Sequence, residues 1–116
     1  MQPLNSKEGY FQHTIREEVI ISGAGIHTGQ SVTMLIKPAE PNTGINFQRT
    51  DLPGKPVVKA DVDNVIETNR STTIEYNGAR VGTIEHMMAA LTGLQIDNVL
   101  IEIDGEEVPE ICSRRR

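Results

Sequence analysis

Large aromatic side chains and cysteines are scarce in this sequence. It has no tryptophan, two phenylalanines and two tyrosines. The core must therefore be built from valine, isoleucine, leucine and methionine, a composition that favours a sheet packed on helices. The single cysteine, Cys112, excludes an internal disulfide and fits a reducing compartment.

Clustered positive charge and long apolar runs are also missing. Lys and Arg number 11 against 16 Asp and Glu, and the basic residues are scattered except at Arg114-Arg115-Arg116. Nucleic-acid binding is therefore not expected, because it requires a clustered positive surface. The first residues lack a secretory signal, and no segment approaches the roughly 20 apolar residues of a membrane span. We expect a cytoplasmic protein that does not span a membrane.

The chain has the length of one domain with a single hydrophobic core. Residues 1–12 are polar, and we expect them to lie outside the fold, either as a disordered lead-in or as residues left over from cloning. Gly25-Ile26-His27-Thr28-Gly29 predicts one antiparallel hairpin, and Asn77-Gly78 predicts a second. Residues 61–68 carry mixed signals and predict a turn or one helical turn. Strand patterns occur in residues 14–23, 31–37, 45–49, 57–59, 70–76, 79–82 and 96–104.

Residues 83–94 form the most regular segment. The sequence predicts an N-cap at Thr83 and an end at Gly93. The spacing predicts one buried helical stripe of Ile84, Met87, Met88, Leu91 and Leu94. Strands on both sides predict a β-α-β unit with a right-handed crossover. The expected fold is α+β, a two-layer sandwich of a mostly antiparallel sheet with helices on one face.

The first turn of this helix carries the adjacent pair Glu85 and His86. The helix dipole disfavours a charged imidazole there, which leaves a ring nitrogen free for a metal, and the glutamate could accept a proton from water. The alternative is structural, with the glutamate complementing the dipole and the histidine solvated. A catalytic zinc usually takes three protein ligands. Besides His86 the chain offers His27, which a turn could equally use to bond a backbone carbonyl, so any zinc site here is partial.

Six blocks in order carry a family resemblance: Ser22 to Gly29, Lys37-Pro38-Ala39 with Asn42 to Ile45, Arg49 to Leu52, Thr83 to His86, Leu91 to Asn98, and Glu107-Val108-Pro109. Together they resemble UDP-3-O-acyl-N-acetylglucosamine deacetylases, the zinc-dependent hydrolases of lipid A biosynthesis. The resemblance implies two similar α+β domains facing each other across the active site. Residues 13–109 match the N-terminal one. This type of fold is shared with ribosomal and kinase-related domains.

The resemblance also implies roles for individual residues. His86 would be a zinc ligand and Glu85 the general base that activates water for attack on the N-acetyl carbonyl of UDP-3-O-acyl-N-acetylglucosamine. Near the substrate and its acyl chain it places Ile26 and the stretch Asn69, Arg70 and Ser71, although Arg70 stands where the family commonly has a less charged residue. For His27 it implies only a structural role, or a supporting contact to residues that bind zinc or substrate.

Residues 110–116 depart from the family pattern, which continues after Val-Pro with an apolar pair and Asp-Gly-Ser. By resemblance, a second domain would supply the remaining histidine and aspartate ligands, an acid histidine and a lysine. We therefore expect the isolated chain to bind zinc weakly or not at all, to be inactive, and to self-associate through the face meant for that domain. The alternative is a non-catalytic binding or assembly module on the same fold.

Overall fold

The computed structural model describes residues 12–67 and 71–110. This part of the chain contains eight strands, one 3₁₀ turn and one α-helix. In chain order they are β1 (Val19–Ala24), β2 (Ser31–Pro38), β3 (Ile45–Arg49), β4 (Val57–Lys59), the 3₁₀ turn (Val62–Asn64), β5 (Val65–Glu67), β6 (Thr72–Tyr76), β7 (Ala79–Gly82), α1 (Glu85–Gly93) and β8 (Val99–Ile103).

The strands form two sheets. One has five strands in the order β1-β2-β8-β3-β4, and the other has three in the order β5-β6-β7. Neighbours are antiparallel except β3 and β8, which run parallel with Ile45 opposite Val99. The predicted α+β class with mostly antiparallel strands is therefore confirmed, but the strands divide between two sheets.

Both predicted hairpins are confirmed. Strands β1 and β2 pair antiparallel with Val19 opposite Ile36. Strands β6 and β7 pair around Asn77 and Gly78, which have φ values of 53° and 83°. Two positive φ values define a type I′ turn, whose twist matches that of the flanking strands. The local Asn-Gly signal thus sets the register of this hairpin.

The core lies around β8. Its alternate residues Val99, Ile101 and Ile103 have no exposed surface, as the alternation predicts. Met34 on β2 and Phe47 on β3 are also fully buried. Fully burying a side chain of this kind contributes about 1.5–3 kcal/mol relative to exposure. The helix adds the buried side chains of Met87 and Leu91 to the same core.

The helix begins differently from the prediction. Ile84 occupies the N-cap position with helical dihedrals, and no side chain caps the first turn. The predicted N-cap, Thr83, is wrong because this residue has a φ of 60° and its hydroxyl bonds Glu107 instead.

The helix ends at Gly93, as predicted, but Leu94 does not belong to the buried stripe. Leu94 is 71% exposed because it lies beyond the last helical turn. Gln95 adopts a φ of 59°, and the Ile96 N–H returns to the Leu91 carbonyl at 2.9 Å. These features define a Schellman ending, which turns the chain back toward β8.

The predicted β-α-β unit within one sheet is wrong. Strand β7 belongs to the three-stranded sheet and β8 to the five-stranded one, so α1 connects two sheets. Both edges of β8 are already paired, with β2 and β3, and leave no place for β7. Residues Val65–Glu67, expected in a turn, form strand β5 because they pair with β6.

The first described residues are tied to the domain by polar contacts. The Gln12 carboxamide accepts a hydrogen bond from the Asn98 side chain and binds Asn42. The His13 N–H donates to the Asp97 carboxylate at 2.8 Å. Residues 1–11, most of the expected lead-in, lie outside the described residues, as do residues 111–116. No helix in the described ranges has the length and apolar content needed to cross a membrane.

Candidate functional site

An open cleft of about 180 Å³ lies where four distant segments meet. These are the β1–β2 turn, the start of β6, the end of β7 with Thr83, and the segment after β8. Most of its lining residues have polar or charged side chains. The lining residues are His27, Thr28, Ser71, Thr73, Arg80, Gly82, Thr83, Glu106 and Glu107.

Glu107 is the buried charge of this cleft, with only 4% of its surface exposed. Its carboxylate accepts hydrogen bonds from the backbone N–H groups of His27 (3.0 Å) and Thr28 (2.8 Å) and from the Thr83 hydroxyl (2.7 Å). Burial by itself would raise the pKa of Glu107, but the bonds from Thr28, Thr83 and His27 outweigh it and lower the pKa. Glu107 is therefore ionised at neutral pH.

The segment that follows β8 joins the two sides of the cleft through its backbone. Glu107 bridges Gly82 in parallel, and Pro109 bridges Gly25 in antiparallel orientation. The Gly82 N–H donates to the Glu106 carbonyl at 2.7 Å. A β-carbon on Gly25 would overlap the Glu107 carboxylate, so this approach requires glycine.

Glu85 lies next to a cleft-lining residue. Its carboxylate accepts a hydrogen bond from the Thr72 N–H at 3.1 Å, and Thr72 follows Ser71. The N–H of Ile84 donates in return to the Thr72 carbonyl at 3.3 Å. These two bonds attach the start of α1 to the start of β6. Glu85 and His86 are not themselves among the cleft-lining residues; the Glu85 carboxylate is held at the start of β6, near Ser71, and remains exposed to solvent.

His86 is exposed one residue further along α1, and the small residues Ala89 and Ala90 of the next turn are exposed as well. Within residues 12–67 and 71–110, no group of three His, Cys, Asp or Glu side chains could hold a metal ion. The imidazole of His86 is a suitable donor for zinc, but an ordinary catalytic zinc site needs further ligands. The described residues could therefore supply one ligand to a zinc ion but not a complete zinc site.

The predicted substrate residues have different outcomes. Ser71 is half-buried and lines the cleft. Ile26 lies in the β1–β2 turn beside the cleft-lining His27 and is 51% exposed. Asn69 and Arg70 lie outside the described residues. The structure thus brings Ser71 and the Ile26 turn to one cleft.

The contact of His27 in the structure differs from the bond to a backbone carbonyl that the sequence suggested. Its backbone N–H donates to the buried carboxylate of Glu107. This contact is made by the backbone, so the role of the His27 imidazole stays a prediction.

Sequence reasoning missed the roles of Glu107, Thr28 and Thr83 at this cleft. Thr28 and Thr83 lie 79 and 24 residues from Glu107. No local pattern links positions so far apart. The one available signal was an acidic residue directly before Val108 and Pro109, which are both buried.

Another block of the family resemblance, Arg49 to Leu52, has a structural role where the two sheets meet. The Arg49 side chain is 7% exposed and makes two hydrogen bonds to Asp51, of 2.8 and 2.7 Å. It also donates to the Arg80 carbonyl on β7 at 2.7 Å, which links the two sheets. Hydrogen bonding to Arg49 lowers the pKa of Asp51. This pair supports the packing of β3 against β7.

Comparison with known proteins identifies relatives over most of this chain. A family model described as UDP-3-O-acyl N-acetylglycosamine deacetylase matches residues 12–112. A UDP-3-O-acyl-N-acetylglucosamine deacetylase of Bdellovibrio bacteriovorus is 46% identical over 100 residues, which are 86% of this chain and 33% of that protein. One from Citrifermentans bemidjiense is 48% identical over 99 residues, or 85% of this chain and 32% of its own length.

A fused relative also matches. The bifunctional enzyme LpxC/FabZ of Bacteroides thetaiotaomicron is 47% identical over 98 residues, covering 84% of this chain and 21% of that protein. The chain therefore spans about a third or less of the length of these relatives.

Proposed function

Since the chain belongs to the UDP-3-O-acyl N-acetylglycosamine deacetylase family, we propose that it forms the N-terminal part of a zinc-dependent deacetylase. The substrate proposed is UDP-3-O-acyl-N-acetylglucosamine, whose N-acetyl group is hydrolysed in lipid A biosynthesis in the cytoplasm. The observation that carries the proposal is the placement of Glu85, which is bonded to Thr72 beside the cleft and followed by the exposed His86.

Glu85 would act as the general base. Its carboxylate is a pure acceptor, and a hydrogen bond from the Thr72 backbone orients it without consuming all of its lone pairs. It would take the proton of the water that attacks the acetamide carbon. A positioned base of this kind contributes a factor of about 10² to 10⁴ in rate.

His86 would provide one ligand to the zinc ion. When bound, the ion supplies Lewis-acid chemistry to the amide and to water. Because the described residues contain no group of three potential metal ligands, the other ligands would come from the rest of the enzyme. We accordingly propose that the 116-residue chain alone binds zinc weakly or not at all and does not hydrolyse substrate.

Substrate contacts would divide between two kinds of side chain. Ser71 lines the cleft and carries a hydroxyl, a group suited to contact the hydroxyls of a sugar. Ile26 offers an exposed apolar side chain at the neighbouring turn, suited to the acyl chain. Asn69 and Arg70 are proposed substrate residues on the family resemblance alone.

A hybrid enzyme tests the proposal. Residues 12–110 of this chain would replace the corresponding third of the Bdellovibrio bacteriovorus relative, and acetate release and bound zinc would be measured. Glu85→Gln should reduce turnover by about 10² to 10⁴ with zinc retained. His86→Ala should reduce both turnover and zinc content. Glu40→Gln, an exposed site distant in sequence from the cleft, is the matched control.

The outcomes separate the two candidate functions. An active hybrid that loses turnover in both variants supports the deacetylase. Unchanged turnover in either variant contradicts the assigned roles and favours a non-catalytic binding or assembly module.

A further inference from the structure

We propose that Glu107 is a positioning residue for the catalytic helix. In this role it fixes the start of α1, and with it Glu85 and His86, relative to the β1–β2 turn. The inference rests on the proposed function for the roles of Glu85 and His86. The mechanical coupling itself depends on contacts in the structure.

The first link joins Glu107 to the residue that precedes the helix N-cap. Thr83 has a φ of 60°, in the left-handed region that β-branched residues rarely adopt. Its hydroxyl donates to Glu107 at 2.7 Å. The bond opposes relaxation of Thr83 toward an ordinary conformation. Because Ile84 and Glu85 follow directly, such a relaxation would change the direction in which the helix starts.

The second link joins the start of α1 to β6. Glu85 accepts the Thr72 N–H at 3.1 Å, and Ile84 donates to the Thr72 carbonyl at 3.3 Å. The helix start is thus held between Thr72 on one side and Glu107, through Thr83, on the other. Release of the Glu107 contact should loosen the Thr72 contact, although Glu107 does not bond Thr72.

The third link joins the same carboxylate to the opposite wall of the cleft. The N–H groups of His27 and Thr28 donate to it at 3.0 and 2.8 Å. One buried charge therefore receives donors from two separate segments. Hydrogen bonds to an ionised acceptor are shorter and stronger than neutral ones, so they fix relative geometry more tightly. Glu107 in this way sets the distance between the Ile26 turn and the helix carrying Glu85.

Amide hydrogen exchange of the 116-residue chain tests the coupling without requiring activity. In Glu107→Gln, loss of the charged acceptor should accelerate exchange of the His27 and Thr28 amides by about tenfold or more. The Thr72 amide should accelerate as well, while the core amide of Ile101 should not. Glu106→Gln, at the neighbouring exposed glutamate of the same cleft, is the matched control and should change none of them.

The inference would be overturned if Glu107→Gln accelerated amide exchange of His27 and Thr28 but left that of Thr72 unchanged. Glu107 would then stabilise only the residues that it contacts directly. Should Glu107→Gln not fold, Thr83→Val and Thr83→Ser provide the second test. Valine keeps the shape and removes the hydroxyl, so Thr72 should exchange faster. Serine keeps the hydroxyl and should restore protection. Equal exchange in both variants would contradict the coupling.

The hybrid enzyme adds a kinetic readout. Thr83→Val should lower kcat by about tenfold with KM within about twofold, because a misdirected base affects the transition state more than binding. Thr83→Ser should return kcat close to the parent value. If Glu85→Gln leaves turnover unchanged while Thr72 exchange still responds to Glu107→Gln, the proposed function fails and the coupling stands.

Discussion

The Thr83 hydroxyl donates a 2.7 Å hydrogen bond to Glu107, 24 residues further along the chain. Thr83 has a backbone φ of 60°, which is costly for a β-branched residue. The contact therefore maintains an unfavourable conformation directly before the helix N-cap, Ile84. Strained residues of this kind persist where surrounding contacts hold them in place, and here those contacts are at the cleft.

Thr83→Val should destabilise the fold by about 1.5–3 kcal/mol, because the buried Glu107 charge loses a donor while the strained β-branched residue remains. Thr83→Ser keeps the hydroxyl and should stay within about 0.5 kcal/mol of the parent. Urea unfolding monitored by circular dichroism measures both. Equal stability of the two variants would show that the hydroxyl does not matter.

Gly25→Ala should destabilise the fold by about 1–3 kcal/mol, because the added methyl group would overlap the Glu107 carboxylate. Gly93→Ala is the control. Nothing lies within 4 Å of a β-carbon there, and the residue ends the helix, so alanine should stabilise by about 0.5–1 kcal/mol. Thermal unfolding of both variants checks the prediction, and a Gly25→Ala protein as stable as the parent would contradict it.

Stability should fall in acid partly through Glu107. Its pKa is lowered in the folded state, so its contribution is fully present above the unfolded value near 4.5 and is lost as pH falls through the folded value. The free energy of unfolding should therefore decrease more steeply below pH 4.5 in the parent than in Glu107→Gln. Denaturant titrations at a series of pH values measure the two slopes. Parallel slopes would mean that Glu107 does not contribute to acid unfolding.

Asp51→Asn should cost about 1.5–3 kcal/mol, because the buried Arg49 guanidinium would lose a charged partner. Glu75→Gln removes the acid of the more exposed Arg80–Glu75 pair and should cost about 0.5 kcal/mol or less. The lowered pKa of Asp51 also predicts that the difference between Asp51→Asn and the parent narrows as pH falls below 3.8. Chemical unfolding at neutral and acidic pH tests both statements. Equal costs for the two variants would contradict the structural role of Arg49.

Self-association of the isolated chain stays a prediction. Ile26 is 51% exposed in the turn beside the cleft and so offers apolar surface for such a contact. Gel filtration with light scattering over a wide concentration range measures it. A strict monomer at every concentration would count against the prediction.

The secondary structure was largely predictable because its signals are local. Asn77-Gly78 specifies a hairpin turn, and the alternation of Val99, Ile101 and Ile103 specifies a strand with one buried face. The adjacent pair Glu85 and His86 was visible in the same way, as ionisable residues in the first turn of a helix. The family resemblance then gave this pair its expected roles.

The sequence alone determined the hairpins, the position of α1 and the candidate catalytic pair, because each depends on residues within a few positions of one another. Only the tertiary structure decided that β7 and β8 lie in different sheets and that Thr83 bonds Glu107 rather than capping the helix. Both outcomes depend on contacts between distant segments. Strand β8 is already paired on both edges, so it cannot pair with β7. A buried carboxylate needs hydrogen-bond donors, and here the fold brings them from segments far apart in the sequence.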